Sequence, residues 1–345
     1  MSRTRRLSDP RLWLGLGVTV LALWLSFRDV SWRALGRDVS RANWVVLLGL
    51  SVPAHLWALQ LRAQRWRVLA RGVADFDTAA GLRATAVGFM VNNLLPLRVG
   101  ELVRAWWLAR EIRASGSALL GTVILERVID AVFLLALASL LIGSEVGRGL
   151  LFAAAAAPLA ATFALRRWPG AAVAGVQRVG SRVLSPARSE RLAVVTASLA
   201  AGVASLRGRG DLARVAISTT LIWGVAAVVP FWAAFLALSI DLGGPAGELR
   251  AALITLVWVG AAVALPSAPG FFGTYHAACV VALTPLGVSR EQALAVGTLA
   301  HAVFWLGTTA FGLVALRLGG RRLAEALAGA EQVEAPGAGA GAAPP

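Results

Sequence analysis

The residues whose chemistry stands out are charged and amide side chains within a stretch otherwise apolar enough to lie in a membrane. Residues 90–108 contain five of them: Asn92, Asn93, Arg98, Glu101 and Arg104. The last three are spaced by three, so they share one face of a helix. That face is positive with one internal acid, which suits the phosphate or carboxylate of a headgroup. The alternative is a juxtamembrane helix whose charges are solvated.

A proline and a glycine interrupt the helix that would carry these side chains. Pro96 lacks an N–H and disfavours helix in the residue before it, and Gly100 permits the chain to turn and resume. Backbone groups freed at membrane depth are tolerated only inside protein or beside a water-filled cavity. We therefore expect a re-entrant element near residues 90–104 that lines a polar cavity.

A second group of charges lies within a long apolar segment, residues 118–142. Glu126 and Asp130 are four apart and stack on one helix face, with Arg127 three residues before Asp130. Charges in a membrane need partners, and Arg98 or Arg104 is the expected one. The group is either a structural ion pair that fixes helix packing or part of a substrate site, and both can hold.

A third motif, residues 265–276, breaks another apolar segment. Its four helix-interrupting residues are Pro266, Pro269, Gly270 and Gly273. Thr274, Tyr275 and His276 then begin a new helical segment, whose N-terminus offers free N–H groups to an anion or headgroup. A simple loop between two spans is the alternative, and a lone histidine is more often packed than functional.

The two broken segments fall in different halves of the chain, near residues 96 and 269. Broken helices at matching positions of two halves are typical of a midplane substrate site in transporters built from repeats. No residue-level repeat is visible, so this symmetry is a pattern of positions only.

Composition identifies the class of protein that must position these motifs. Of 345 residues, 58% are hydrophobic and 15% charged, and the 33 basic residues, all arginine, exceed the acidic ones by 15. A soluble domain averages roughly 45–50% apolar residues, so a soluble enzyme is excluded. The arginines fall between apolar runs and form no stripe with interleaved aromatics, which argues against nucleic acid. This composition predicts an all-α polytopic membrane protein.

Apolar length and arginine position predict the topology. Seven segments are long enough to cross the bilayer, and two more, 84–108 and 268–287, are the broken ones. The seven are 12–28, 44–62, 118–142, 149–166, 212–239, 246–266 and 291–316. Arginines concentrate in the N-terminal segment and in 62–83, 166–214 and the tail, which places these regions in the cytoplasm. We expect about eight crossings plus a re-entrant element, with both termini inside.

The segments between and beyond the spans differ in composition. Residues 1–11 form a cytoplasmic N-terminus before an uncleaved signal anchor, and residues 12–318 form the membrane domain. Residues 167–211 within that domain predict an Arg-rich cytoplasmic helical connector on anionic headgroups. Residues 319–345 are rich in Ala, Gly and Pro and predict a disordered tail.

Three ordered motifs resemble the lysylphosphatidylglycerol synthase transmembrane-region family, the flippase-like module of the multiple peptide resistance factor. They are Asn-Asn-x-Leu-Pro-x-Arg-x-Gly-Glu-x-x-Arg at 92–104, Glu-Arg-x-x-Asp at 126–130 and Pro-Ser-x-Pro-Gly-x-x-Gly-Thr-Tyr at 266–275. The resemblance covers residues 10–320. It implies a polytopic inner-membrane protein associated with moving a phospholipid across the bilayer.

The resemblance also implies how the three motifs are arranged. It implies that residues 92–104 form one re-entrant element, that Glu126, Arg127 and Asp130 lie beside it, and that residues 269–274 form the opposing one. Two departures matter. Only a tail follows the last span, where the synthase has its soluble aminoacyl-transferase domain, so a stand-alone member that does not make lysyl-lipid is expected. Position 276 is His where relatives often have an acid, which affects headgroup preference.

The sequence leaves three hypotheses for the function. The leading one is a translocase for a phospholipid or isoprenoid-linked lipid, held in a polar cavity between the broken segments. The second is an adaptor that holds a cytoplasmic enzyme through residues 167–211. The third is an intramembrane transferase, although His-Glu-x-x-His and Gly-x-Ser-x-Gly motifs are absent from the sequence. No metal, cofactor or nucleic-acid partner is expected.

Overall fold

The computed structural model describes residues 10–28, 30–95, 99–141, 145–206, 208–264 and 269–320. Within these ranges the chain is helical and contains no strand, which confirms the all-α prediction. Helix follows from apolar runs of membrane length, because a backbone without water must satisfy its own hydrogen bonds. The predicted N-terminal segment before residue 10 and the predicted tail from residue 321 lie outside the described residues.

Each of the seven predicted spans corresponds to a helix or to consecutive helical segments, although the helix that begins at Trp44 continues to Ala70, past the predicted end at residue 62. In chain order they are α1 (Pro10–Phe27), α2 (Trp32–Arg41), α3 (Trp44–Ala70), α4 (Thr78–Leu94), α5 (Gly100–Ile112), α6 (Gly116–Leu141), α7 (Glu145–Arg167), α8 (Pro169–Val183), α9 (Pro186–Ser205), α10 (Arg209–Thr220), α11 (Val229–Ala237), α12 (Gly244–Ala264), α13 (Thr274–Leu283) and α14 (Arg290–Leu318). A π-helical turn, Leu221–Ala226, joins α10 to the short link before α11, and short 3₁₀ turns precede and follow α13.

Five stretches of the described chain are long and apolar enough to cross a membrane: Trp44–Ala70, Gly147–Arg167, Arg209–Ala237, Gly244–Ala264 and Arg290–Leu318. Helix α6 has the length of a span but carries Glu126, Arg127 and Asp130 in its middle. The class of multi-pass membrane protein follows from these lengths, and the number of crossings stays a prediction.

Both predicted interruptions are present in the described chain. Helix α4 ends at Leu94 and α5 begins at Gly100, while α12 ends at Ala264 and α13 begins at Thr274. Pro96, Arg98 and Pro266 lie outside the described residues. The first interruption is bordered by tight packing, because α4 runs along α14 with Gly312 facing the Cβ of Met90. The turn Pro269–Phe271 packs beside α4, so the two breaks are neighbours.

The Arg-rich connector is helical, as predicted, but part of it belongs to the helix bundle. Helix α9 packs along α6, where a Cβ on Gly121 would lie 2.9 Å from the carbonyl oxygen of Val195. Gly202 of α9 similarly faces the carbonyl oxygen of Leu69 in α3. Small residues at helix contacts let α9 pack closely against the bundle, and contact of the connector with headgroups stays a prediction.

Candidate functional site: a buried cluster of arginines and carboxylates

Seven charged side chains from three helices meet in the interior of the bundle, and we call them the charged cluster. They are Arg62 and Arg65 of α3, Glu101 and Arg104 of α5, and Glu126, Arg127 and Asp130 of α6. Residues on α5 and α6 were predicted to meet, and they do. The first two motifs therefore form one site.

Glu126 is the most enclosed member, with no exposed surface. Arg65 donates from Nη2 to Oε1 of Glu126 at 3.0 Å, and Arg104 donates from Nη2 to Oε2. One carboxylate thus ties α3, α5 and α6 together. The predicted partner Arg104 is confirmed for Glu126, while Arg98 lies outside the described residues.

Asp130 is held mainly from α3. Its Oδ1 accepts hydrogen bonds from Trp223 Nε1, at 2.7 Å, and lies 2.7 Å from Nη1 of Arg65. Its Oδ2 lies 3.2 Å from Nη2 of Arg127 and 3.5 Å from Nη1 of Arg62. Three guanidinium groups around this carboxylate offset the loss of hydration that its burial causes.

Aromatic rings and hydroxyl groups complete the walls of the charged cluster. The Arg104 guanidinium lies 4.0 Å from the ring centroid of Trp66, a cation–π contact. Trp66 donates from Nε1 to Oγ1 of Thr122, and Arg65 donates from Nη1 to Oγ1 of Thr219, both at 2.8 Å. These contacts fix the orientation of the arginines that face Glu126.

The charged cluster has one partly open side. Arg127 Nε lies 3.7 Å from Oε1 of Glu101, and these two side chains are 31% and 27% exposed. The remaining five are almost fully buried. Four arginines face three carboxylates, so the cluster carries one excess positive charge among its described members.

The π-helical turn brings Trp223 to the charged cluster. Arg62 lies between two rings, with its guanidinium carbon 4.9 Å from the Trp223 centroid and 5.6 Å from that of Phe89. Single π-helical turns inside apolar helices occur frequently at functional sites. Trp223 lies within this turn, where its ring contacts Arg62 and its Nε1 donates a hydrogen bond to Oδ1 of Asp130.

Sequence reasoning missed Arg62 and Arg65 as site residues, because it counted them among cytoplasmic flanking charges. The structure buries both, with side-chain exposures of 8% and 0%. A usable signal was present. Apolar residues, among them Trp66, Val68 and Leu69, still follow both arginines, and the spacing of three places Arg62 and Arg65 on one helix face.

The two asparagines have identified partners in the structure. Asn92 Oδ1 accepts from the backbone N–H of Gly100 at 2.8 Å, which joins the end of α4 to the start of α5 across the break. Asn93 Nδ2 lies 2.9 Å from the hydroxyls of Thr308 and Thr309, and 3.2 Å from the Trp305 carbonyl. Asn92 thus links the two sides of the first break, Asn93 holds the end of α4 against α14, and their role in substrate binding stays a prediction.

The third motif forms an aromatic and histidine group beside α14. Gly270 and Gly273 adopt positive φ values of 69° and 84°, the conformation that glycine permits. His301 Nε2 lies 2.7 Å from the carbonyl oxygen of Gly270, and its ring stacks on Tyr275 at 4.5 Å. His276 packs against His301 at 5.3 Å.

The structure joins the third motif to the first through α14 rather than through the charged cluster. Thr274 donates to the carbonyl oxygen of Phe271 at 3.1 Å and is buried with Tyr275 and His276. Phe272 contacts the ring of Trp305, and the carbonyl oxygen of Trp305 accepts a hydrogen bond from Nδ2 of Asn93. The two broken segments, near residues 96 and 269, therefore lie next to each other. A headgroup role for the third motif stays a prediction.

A cavity of about 430 Å³ lies at a different place, between the end of α11 and the start of α14. Its lining includes Asp241, Arg250 and Gln292. Asp241 Oδ1 accepts from the N–H groups of Gly243 and Gly244, and Gln292 belongs to the capping box of α14. These polar groups serve the local fold.

Comparison with known proteins gives one match and two negative results. No curated protein and no solved structure matches the chain. A family model matches residues 12–312, which is most of the sequence and includes the charged cluster and both breaks. The chain belongs to the family described as the lysylphosphatidylglycerol synthase TM region.

Proposed function

We propose that the protein binds a lipid or lipid-linked headgroup at the charged cluster and translocates it across a bacterial-type inner membrane. Buried excess positive charge at a broken helix carries this proposal. Charges are expensive inside a membrane domain and are retained there chiefly for packing or for polar substrates. The family name also refers to an enzyme whose product is a phospholipid.

The arrangement supports movement as well as binding. The breaks between α4 and α5 and between α12 and α13 lie side by side, and both border α14. In transporters built from repeats, broken helices form the substrate site, and movement of one repeat against the other exposes that site alternately to either side. A headgroup would enter the polar interior through the side on which Arg127 and Glu101 are exposed, while acyl chains stay in lipid.

Translocation is tested in vesicles that contain the purified full chain and fluorescent phospholipids of several headgroup classes. Chemical quenching of the outer leaflet reports the fraction of each lipid that crosses. At least one class is expected to cross faster than in protein-free vesicles, and Glu101→Ala is expected to slow it. Equal rates with and without protein for every native lipid class would refute the proposal.

A second role, as an adaptor for a cytoplasmic enzyme, rests on helix α8 and the start of α9. Arg178, Arg182 and Arg188 are exposed, so this surface is open to a partner. Co-purification of a cytoplasmic enzyme that is lost when Arg178 and Arg182 become Gln would favour this role. Unchanged lipid transport in the same variant would separate it from translocation.

A further inference from the structure

The four arginines of the charged cluster are held in two different ways. Arg65 and Arg104 donate hydrogen bonds to Glu126, and Arg65 also donates to Thr219. Arg62 and Arg127 both approach one oxygen atom, Oδ2 of Asp130, as ion pairs at 3.5 and 3.2 Å, and Arg127 Nη2 also lies 3.5 Å from Oε1 of Glu126. Arg65 and Arg104 thus connect the helices through hydrogen bonds, whereas Arg62 and Arg127 contact Asp130 through longer ion pairs.

Asp130 Oδ2 and Arg62 Nη1 are both buried, and neither has a hydrogen-bond partner among the described residues. Nε of Arg127 lacks one within the same part of the chain. A buried donor without a partner is costly, so proteins keep one mainly where a ligand or water completes it. Donors on Arg62 and Arg127 and the acceptor oxygen of Asp130 therefore lie close together without complete hydrogen bonding.

The surroundings of Arg62 preserve its orientation without using its N–H groups. Trp223 and Phe89 contact the guanidinium through their rings, which leaves the N–H edge available to an acceptor. Arg127 is the most exposed member of the charged cluster, and it pairs with Glu101 on the open side. An anion that arrives from this side reaches Arg127 first and Arg62 behind it.

We propose that Arg62 and Arg127 form a two-arginine clamp for an oxyanion, a phosphate group above all, and that Asp130 Oδ2 occupies this position when the clamp is empty. The clamp deepens the proposed function, on which it rests, by naming the bound part of the headgroup. Paired guanidinium groups match the geometry of phosphate oxygens, and the excess positive charge of the cluster favours a singly charged phosphodiester.

The test measures how added ligands shift the thermal unfolding midpoint of the detergent-purified full chain. The probes are a short-chain phosphatidylglycerol, inorganic phosphate, and diacylglycerol with the same acyl chains. The variants are Arg62→Gln and Arg127→Gln. The matched control is Arg83→Gln, because Arg83 is 30% exposed and pairs with Glu111, much as Arg127 is 31% exposed and pairs with Glu101.

The phosphatidylglycerol is expected to raise the midpoint of the wild type and of Arg83→Gln, while diacylglycerol leaves it unchanged. Each clamp variant is expected to need about tenfold more phospholipid for the same shift, the effect of one lost charge-assisted hydrogen bond. If inorganic phosphate alone gives an equal shift that needs both arginines, the clamp is supported with free phosphate as its ligand.

Two results would overturn the clamp. In one, neither phosphate-bearing probe shifts the wild type; in the other, the clamp variants respond as the control does. Should Arg62→Gln fail to fold, Arg127→Gln decides, since its partly exposed side chain is replaceable. The vesicle assay separates the two proposals: transport without dependence on either arginine removes the clamp alone, and binding without transport removes translocation alone.

Discussion

At the scale of single residues, Glu126 determines how three helices meet. Its carboxylate accepts hydrogen bonds from Arg65 of α3 and from Arg104 of α5, and it has no contact with solvent. A buried ion pair contributes little net stability over an apolar pair, yet removal of one partner is severe because the other charge stays buried. The cluster therefore specifies the register of α3, α5 and α6 more than it stabilises them.

Replacement of Glu126 by Gln is expected to lower the free energy of unfolding by about 3–5 kcal/mol. Arg104 would remain buried without the carboxylate that it pairs with, and Arg65 would keep only Asp130 as a counter-charge. Denaturant unfolding of the purified protein in detergent measures the difference. The control is Glu111→Gln, which removes a partly exposed partner of Arg83 and should cost about 1 kcal/mol or less. Equal losses in both variants would contradict this role for Glu126.

At the scale of elements, close contact between α4 and α14 keeps the first break in place. Gly312 of α14 faces Met90, and an added Cβ would lie 2.9 Å from the carbonyl oxygen of Ala86. Asn93 then anchors the end of α4 to Thr308 and Thr309 of the same helix. Glycine lets the two backbones approach closely, and the hydrogen bonds of the Asn93 side-chain amide set the register of α4 along α14.

Gly312→Ala is expected to lower the free energy of unfolding by about 1–3 kcal/mol, because the extra methyl group overpacks this contact. Gly307→Ala on the same helix is the matched control, since no atom lies within 4 Å of its added Cβ. That control is expected to be neutral or slightly stabilising, because alanine favours helix. A stabilising Gly312→Ala would show that α4 and α14 are not in contact at this point.

At the scale of the whole molecule, arginine distribution predicts that the connector 167–211 is cytoplasmic and that the loop 240–250 faces outward. Cys279 is the single cysteine of the chain and is buried, so Cys279→Ala gives a background for labelling. In intact cells a membrane-impermeant maleimide is expected to label Asp241→Cys and to spare Arg178→Cys. Both positions are exposed in the structure.

Lysed cells provide the control, since both variants should then be labelled. Labelling of Arg178→Cys alone in intact cells would reverse the predicted orientation. Labelling of both in intact cells would place the connector and the loop on the same outer side. Either result would change the side from which a headgroup reaches the charged cluster.

The sequence by itself determined the class of protein, the helical spans and the positions of both breaks. These depend on local properties: apolar length decides which segments cross, and Pro or Gly decides where a helix ends. It also identified Glu126 and Asp130 as charges in need of partners, and Arg104 as one of them. Each of these inferences uses residues within a turn or two of each other, or a simple rule of charge compensation.

Only the tertiary structure decided which other arginines compensate those acids. Arg65 lies 61 residues before Glu126 in the chain, and the contact exists because α3 packs against α6 with one particular face. The rotation of a helix such as α3, whose sequence contains little amphipathic signal over its full length, is set by its neighbours. For the same reason the π-helical turn that brings Trp223 to Arg62, and the single acid oxygen between Arg62 and Arg127, appear only in the folded molecule.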